Sequence, residues 1–329
     1  MASDSPVLSV VVAIVSDTTG PPDACHLDPC LAALIGQKNA PSMEIIVAHL
    51  PSVEGLTRVR ERYPQVRFQE ADNLRMYTGL PGSREHHDEI RARGLALARG
   101  SIIALIEDHG VACEDWSARL LEAHGKGFAA VGGAIENGID KPLNWAVYFC
   151  DFLRYQRPLP EGESAIASDA NVSYKRAALE KIQPVWAEVF HEHSVNAALR
   201  AQGERLALVP DAAVYQHRLN LKLGPAMKER FVWGRSYAAT RAGLSSAGRR
   251  LFYAIFSPLL PVLMLARMTL MAWQKRRTFG AFIKGVPLTA LLIVSWSCGE
   301  LIGYLTGRAN AAGAQAAEAI SRGASSALR

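Results

Sequence analysis

Glu107, Asp108 and His109 close an aliphatic run, residues 101–106, that is bounded by Gly100 and Gly110. Two carboxylates and an imidazole in succession can bind a hard cation or carry a proton. A continuous apolar run of this length reads as a strand buried on both faces. Side chains alternate along a strand, so Glu107 and His109 fall on one side and Asp108 on the other. Glu107 and His109 can therefore reach one metal ion together. In open α/β sheets ligands gather at the carboxyl ends of strands, which is where these residues stand. A second group of interest is Glu192, which opens a helical stretch at 190–202 capped by Gly203. A helix N-terminus favours an ionised carboxylate, and such a group is a suitable base for a hydroxyl proton. A plain capping role is the alternative.

The elements that must position these groups alternate. Residues 7–15, 44–48 and 65–68 read as strands, and 27–37 and 55–63 as helices. Residues 84–99 read as a helix with Ser83 as N-cap and Gly100 as C-cap. The strand that ends in Glu107 follows, and this rhythm predicts βαβ units with a parallel sheet. Further on, 116–126 is helical, 128–131 is a short strand ending at Gly132-Gly133, and 141–154 is apolar and aromatic. Residues 168–174 form a small-residue turn running into a strand, and 205–209 is a last strand leading to Tyr215-Gln216-His217. There is no internal repeat.

Bulk properties narrow the class. With 329 residues, 49% hydrophobic and 20% charged, the chain is neither disordered nor a many-spanning membrane protein. The net charge is +5, and much of the excess lies after residue 220, beside the most apolar segments. That placement suits an anionic membrane surface, and no RNA-binding signature or aromatic-basic platform points to nucleic acid. Five cysteines without a CxxC pair fit a reduced compartment. Residues 1–6 lack a basic region, so 7–15 is expected to be a first strand and not a signal peptide.

Over roughly residues 7–217 the chain resembles a family 2 glycosyltransferase of the GT-A fold. Residues 7–15 resemble that family's first strand, 30–37 its "cL.sL..Q" helix, and 44–47 its second strand. Residues 91–100 match its R-N-x-G-L-x-x-A-x-G helix, with Ala92 in place of Asn. Glu107-Asp108-His109 stands where the family has D-x-D, with His109 in the place of the metal-binding last Asp. The resemblance implies a divalent cation on Glu107 and His109. Imidazole favours Mn²⁺ over Mg²⁺, which prefers an all-oxygen shell. His217 follows the last strand, where such enzymes often supply a second metal-binding histidine. Ser168-Asp169-Ala170-Asn171 resembles the donor loop, which places Asp169 and Asn171, with Asp108 and Arg91, among the donor contacts. Arg230 or Arg235 are further candidates for the diphosphate. Counted back from Gly203, Glu192 takes the place of the catalytic Asp of the E-D pair and His191 that of the preceding Glu. The acid that usually ends the second strand is missing from Ala48-His49-Leu50, so the donor nucleotide stays open.

Beyond residue 221 the composition shifts. Residues 227–240 form a basic-aromatic amphipathic helix, and 251–273 and 282–305 are long apolar segments separated by Gln274-Lys275-Arg276-Arg277. At about 1.5 Å per residue each is long enough to cross a bilayer. Pro258, Pro261 and Arg267 interrupt the first, and Lys284, Pro287 and Glu300 the second. If both crossed, Lys275, Arg276 and Arg277 would lie on the far side, against the positive-inside rule. A spanning hairpin, helices lying in or re-entering the cytoplasmic leaflet, and buried helices of a soluble domain or dimer interface all remain open, with membrane association favoured.

The expected architecture is an α/β GT-A fold, a Rossmann-like mixed, mostly parallel sheet with flanking helices, plus C-terminal apolar helices. Its divisions are a catalytic domain at 1–220 (nucleotide-binding half 1–110, acceptor half 111–220), membrane-associated helices at 221–306 and a flexible tail at 307–329. The resemblance implies an inverting, metal-dependent transfer of a sugar from a nucleotide-sugar donor to a saccharide or lipid-linked acceptor. Nucleotide sugars are cytosolic, so the expected location is the cytoplasmic face of the cell membrane. The missing strand-two acid supports one alternative, a catalytically silent module that binds a nucleotide or a partner at the membrane. A metal-dependent nucleotidyltransferase is disfavoured by the lack of a Gly-rich, Lys-bearing loop near the first strand.

Overall fold

The structure, a computed structural model, describes residues 5–16, 23–77, 83–243 and 245–308. The flexible tail expected at 307–329 falls almost wholly outside them. The chain is mixed α/β with helices on both faces of a single sheet and apolar helices after it. The first half is built from β1 (Leu8–Ala13), α1 (Leu27–Ile35), β2 (Met43–His49), α2 (Leu56–Arg62) and β3 (Arg67–Glu70). It continues through α3 (His86–Leu97), β4 (Ile102–Glu107), β5 (Gly110–Ala112) and α4 (Trp116–Gly125). The second half holds β6 (Ala130–Asn137), α5 (Pro142–Phe152), β7 (Gly162–Ser164), β8 (Asn171–Lys175), α6 (Arg176–Lys181), α7 (Gln183–Trp186), α8 (Glu192–Ala201) and β9 (Leu206–Gln216). The sheet order is β3-β2-β1-β4-β8-β6-β9-β5, with β7 also on β9. The first four strands are parallel, β8 runs antiparallel between β4 and β6, and β9 lies parallel to β6.

Period-two alternation divides the core. Val10, Val12, Ala104 and Ile106 pack with Leu27, Leu31, Trp116 and Leu120 on one face. Val11, Ile103 and Leu105 pack with Leu95, Leu179, Phe190 and Leu199 on the other. β4 is buried along its whole length, as its unbroken aliphatic run requires. Continuing the same alternation sends Glu107 toward α3 and α8, and Asp108 toward α1.

Three local expectations are corrected. Ser83 does not cap α3: its hydroxyl donates to Glu85 Oε2 at 2.6 Å, and the helix begins at His86. β6 does not stop at Gly132-Gly133 but runs on to Asn137. A Cβ on Gly133 would lie 1.7 Å from the Ala212 carbonyl oxygen, so the glycine marks the close approach of β9 and not a strand end. The last strand runs from Leu206 to Gln216 as one element, because β6 pairs along it and β7 and β5 take opposite ends of its other edge.

The C-terminal helices are α9 (Leu223–Gly243), α10 (Ala247–Phe256), α11 (Leu260–Lys275) and α12 (Phe279–Thr306). α9 and α12 meet backbone to backbone. A Cβ on Gly234 would come within 2.1 Å of the Trp296 carbonyl oxygen, and one on Gly299 within 2.1 Å of that of Phe231. Small residues allow this approach. α10 and α11 return along α12: Arg250 reaches the carbonyls of Tyr304 and Leu305, and Ala272 packs with Phe282. The basic turn therefore does not lie remote from the sheet domain. Arg277 Nη1 pairs with Glu136 Oε1 at 2.6 Å, Thr278 Oγ1 donates to Gln156 at 3.0 Å, and Lys275 Nζ donates to the carbonyls of Gln156 and Pro158. The helix expected at 227–240 is α9, which runs longer, from Leu223 to Gly243.

One buried histidine makes stability depend on pH. His124 is 4% exposed, its Nδ1–H donates to the Phe128 carbonyl at 3.0 Å, and Nε2 lies 2.8 Å from the Ser173 hydroxyl. Burial pushes its pKa down to about 4. The folded value lies below the unfolded one, so this contribution is complete above about pH 6.5 and is lost as pH falls toward 4. At 1.36 kcal/mol per pH unit the loss is roughly 3 kcal/mol. His124→Gln is expected to flatten the dependence of the unfolding midpoint on pH between 7 and 4; an unchanged slope would count against this assignment.

Candidate functional site

β1 and β4 end side by side, and β8 begins where β4 ends: Ile106 is paired with Asn171. The turn before β8 therefore sets Asp169 beside Glu107. The backbone N–H of Phe190 donates to the Asp88 carbonyl at 2.9 Å, which ties the approach to α8 against α3. The N-terminus of α8 follows, and Glu192 Oε2 accepts the Asp169 backbone N–H at 2.9 Å. Glu107, His109, Asp169 and Glu192 all line one cavity of about 490 Å³. Val15, Arg84, His87 and Asp88 complete its sheet side, and Arg154, Tyr155, His191 and His193 stand near α8.

Buried charges are tied together beneath the cavity. Arg91, 1% exposed, holds Asp88 Oδ1 at 3.1 Å, Glu107 Oε1 at 3.0 Å and Asp169 Oδ2 at 3.1 Å. His109 Nε2 lies 3.3 Å from Glu107 Oε2, and Nδ1 3.2 Å from Asp108 Oδ1. Burial opposes charge on His109, but the hydrogen bonds it donates to both carboxylates, with their charge, outweigh it and raise its pKa to about 9. Burial likewise opposes charge on Glu107, yet the His109 hydrogen bond and charge, with Arg91, hold it well below the usual carboxylate range. Asp169 behaves differently. Burial pushes it up to about 8 against the attraction of Arg91, with Glu192 and Glu107 adding repulsion. Glu192 is held low: burial raises it, but the hydrogen bond from His193 and the Asp169 N–H prevail. Their surroundings thus push the two carboxyls apart, Asp169 upward and Glu192 downward.

The sequence candidates divide. Glu107, His109, Asp169 and Glu192 come together. Asp108 does not line the cavity; it is wholly buried and accepts the Val15 N–H at 3.0 Å and the Ser16 hydroxyl at 2.5 Å, so it fixes the segment after β1. Arg91 is an internal hub, buried beneath the cavity and not among its lining residues. Asn171 is likewise turned inward: its Nδ2 donates to the carbonyls of Ala134 and Ala212, and its Oδ1 accepts from Trp116 Nε1, so it joins β6, β9 and α4. His217 donates its backbone N–H to the His109 carbonyl at 2.7 Å, but its ring lies against Gly138, away from the lining. Arg230 lines the cavity but is engaged by Asp151 through two bonds of 2.6 Å. Arg235 Nε donates to the Arg308 carbonyl. Asp88 was missed, although its spacing of three from Arg91 on one helix was a usable signal. Arg84 and Arg154 carried no local signal at all.

A divalent cation was expected on Glu107, His109 and His217. Among the described residues no group of three or more His, Cys, Asp or Glu side chains is placed to hold one. The cavity does offer two donors of suitable chemistry, Glu107 Oε2 and His109 Nε2. A cation there would take its remaining ligands from substrate phosphate and water, the usual arrangement beside phosphorylated substrates. It would also have to displace the His109 proton, since only neutral imidazole coordinates.

No protein-family model and no curated protein matches the chain. Among solved structures the chain is similar in outline to the mannosyltransferase PcManGT from Pyrobaculum calidifontis in complex with GDP-Man and Mn²⁺. The TM-score is 0.44 at 16% sequence identity, over 99% of this chain and 82% of that one. A likeness of that size decides neither activity, nor donor, nor metal.

Proposed function

We propose that this protein is an inverting glycosyltransferase that moves a sugar from a nucleotide-sugar donor to an acceptor at the cytoplasmic face of a membrane. The observation that carries the reading is the shared cavity, which Glu192 lines together with the Glu107–His109 pair. Glu192, ionised and at a helix N-terminus, takes the proton of the acceptor hydroxyl. Asp169 positions it through its backbone N–H. Arg91 sets the carboxyls of Glu107 and Asp169 in place from beneath. Glu107 and His109 would hold a divalent cation, Mn²⁺ favoured over Mg²⁺, which when bound offsets the charge of the leaving diphosphate. The domain limits set out above, with catalysis in 1–220, belong to the same proposal.

A thermal-shift panel of nucleotide sugars with and without Mn²⁺ tests this. At about 100 times Kd a ligand of the native state adds about 2.7 kcal/mol, so one donor should raise the transition only when Mn²⁺ is present, and chelation should reverse it. Hydrolysis of that donor should fall sharply in Glu107→Ala/His109→Ala; unchanged hydrolysis would defeat the proposal. Binding without turnover would instead favour the silent module, a reading supported by His49. That residue ends β2 where an acid was expected, and its Nδ1 hydrogen-bonds the Leu50 carbonyl at 2.8 Å.

Membrane association rests on the outer faces of the last helices. Residues 247–275 and 279–306 are long and apolar enough to cross a bilayer, with only 11% and 28% of their most apolar windows buried. Ile255, Val262 and Leu270 are 62%, 71% and 57% exposed. With the turn at Lys275–Arg277 held against the sheet domain, entry into the bilayer would leave these basic residues on the cytoplasmic side, in keeping with the positive-inside rule. Carbonate washing of membranes should leave the protein in the pellet.

A further inference from the structure

The long apolar helix α12 is fastened to the sheet domain along its length and not at one end. At the turn before it, Arg277 pairs with Glu136 and Thr278 donates to Gln156. Its first half runs along α5: the Phe282 ring meets that of Phe149 at 5.1 Å, and Leu292 packs with Ala146 and Val147. Its second half runs parallel to α9, in steps of four residues. Ser295 Oγ donates to the Met227 carbonyl at 2.7 Å, Gly299 lies against the Phe231 carbonyl, and Gly303 against that of Arg235. α9 is itself fixed to the sheet domain, since Ser236 Oγ donates to Glu85 Oε1 at 3.0 Å and Arg84 lies 4.1 Å over the Trp233 ring. From the turn to Gly299, α12 extends about 30 Å, the full hydrocarbon thickness of a bilayer. A crossing orientation would therefore drag the flank of the sheet domain into hydrocarbon. It would take α9 there too, with Lys228, Arg230, Arg235 and Arg241.

The placement of charge suits the other orientation. Leu263, Arg267 and Leu270 share one side of α11 at helical spacing, as do Lys284 and Leu291 on α12, and all five are exposed. A basic residue within an apolar stripe is costly at the centre of a bilayer, but at headgroup depth its long stem lies in the apolar layer while its charge reaches water and phosphate. From Arg230 to Arg308 the chain carries eleven Lys and Arg and one acid, the buried Glu300. We infer that α10, α11 and α12 lie in the plane of the membrane, their outer stripes embedded in one anionic leaflet, and that none of them crosses it. This rests on the membrane association proposed above and decides how it is made.

Spin labels on the full chain in liposomes test the inference, with Cys25 and Cys298 first replaced by serine. Single labels go on Ile283→Cys, Val294→Cys and Leu305→Cys, exposed positions that span about 33 Å of α12. Power saturation with oxygen against a water-soluble nickel chelate reads their depth. The expected result is one shared shallow depth, about 5–10 Å into the leaflet, at all three positions. Two shallow ends around a deep label at residue 294 would mean a crossing helix and would overturn the inference. Labels as open to nickel in liposomes as in buffer would remove the membrane reading itself. Labels shielded from both reagents would mean that protein, such as a second copy of the chain, covers this face, and would overturn it as well. Flotation should be stronger with vesicles containing phosphatidylglycerol than with phosphatidylcholine alone; equal flotation would overturn the choice of an anionic leaflet.

Discussion

Replacing Arg91 with Met is expected to destabilise the protein by about 3–5 kcal/mol, the usual cost of removing one partner from a buried charge cluster. For a chain of this size that is a fall in Tm on the order of 10 °C. The guanidinium is 1% exposed and faces Asp88, Glu107 and Asp169 at 3.0–3.1 Å, and the methionine would leave all three without their shared cation. Burial already pushes the Asp169 carboxyl up even with Arg91 present. Without the cation these carboxyls take up protons at higher pH, so the loss should be greatest at alkaline pH and shrink as pH falls. Arg91→Lys keeps the charge but loses the fork, and should fall between. Thermal unfolding from pH 6 to 9 checks this, and an Arg91→Met protein that melts like wild type throughout would contradict the hub.

Glu192→Gln is expected to slow donor hydrolysis and sugar transfer by roughly 10²–10⁴ while leaving donor affinity unchanged, the range seen when a general base is lost. The substitution is nearly isosteric, and its amide oxygen can still accept the Asp169 N–H that Glu192 accepts at 2.9 Å. A residue that merely caps α8 would therefore lose little. The two roles separate in the pH profile. Glu192 is ionised at neutral pH and loses its basic form as pH falls, so the acid limb of kcat/KM belongs to it and should vanish in the variant. Hydrolysis within threefold of wild type, with the acid limb intact, would remove Glu192 from the mechanism.

The sequence by itself determined the central strand β4 and its end. An unbroken aliphatic run can only be satisfied between two packed faces, so residues 101–106 had to be central, and period-two alternation dictated that Glu107 and Asp108 diverge. It also determined that Glu192 starts a helix, since the periodic stretch and Gly203 mark both limits. Proximity between distant segments was decided by tertiary structure. The antiparallel insertion of β8 beside β4 brings Asp169 to Glu107, and nothing in the spacing of residues 107 and 169 encodes that register. Asn171 and His217 show the same limit from the other side. Their types suit ligand binding, but strand pairing gives Asn171 three buried partners, and the path of β9 turns the His217 ring toward Gly138. The helix at 227–240 was legible, but not that α9 packs on α12 through glycine-mediated backbone contact, nor that the Lys275–Arg277 turn docks on the sheet domain. Short-range periodicity reports which face of an element is apolar; which elements then meet is set by pairing energies summed over the whole fold.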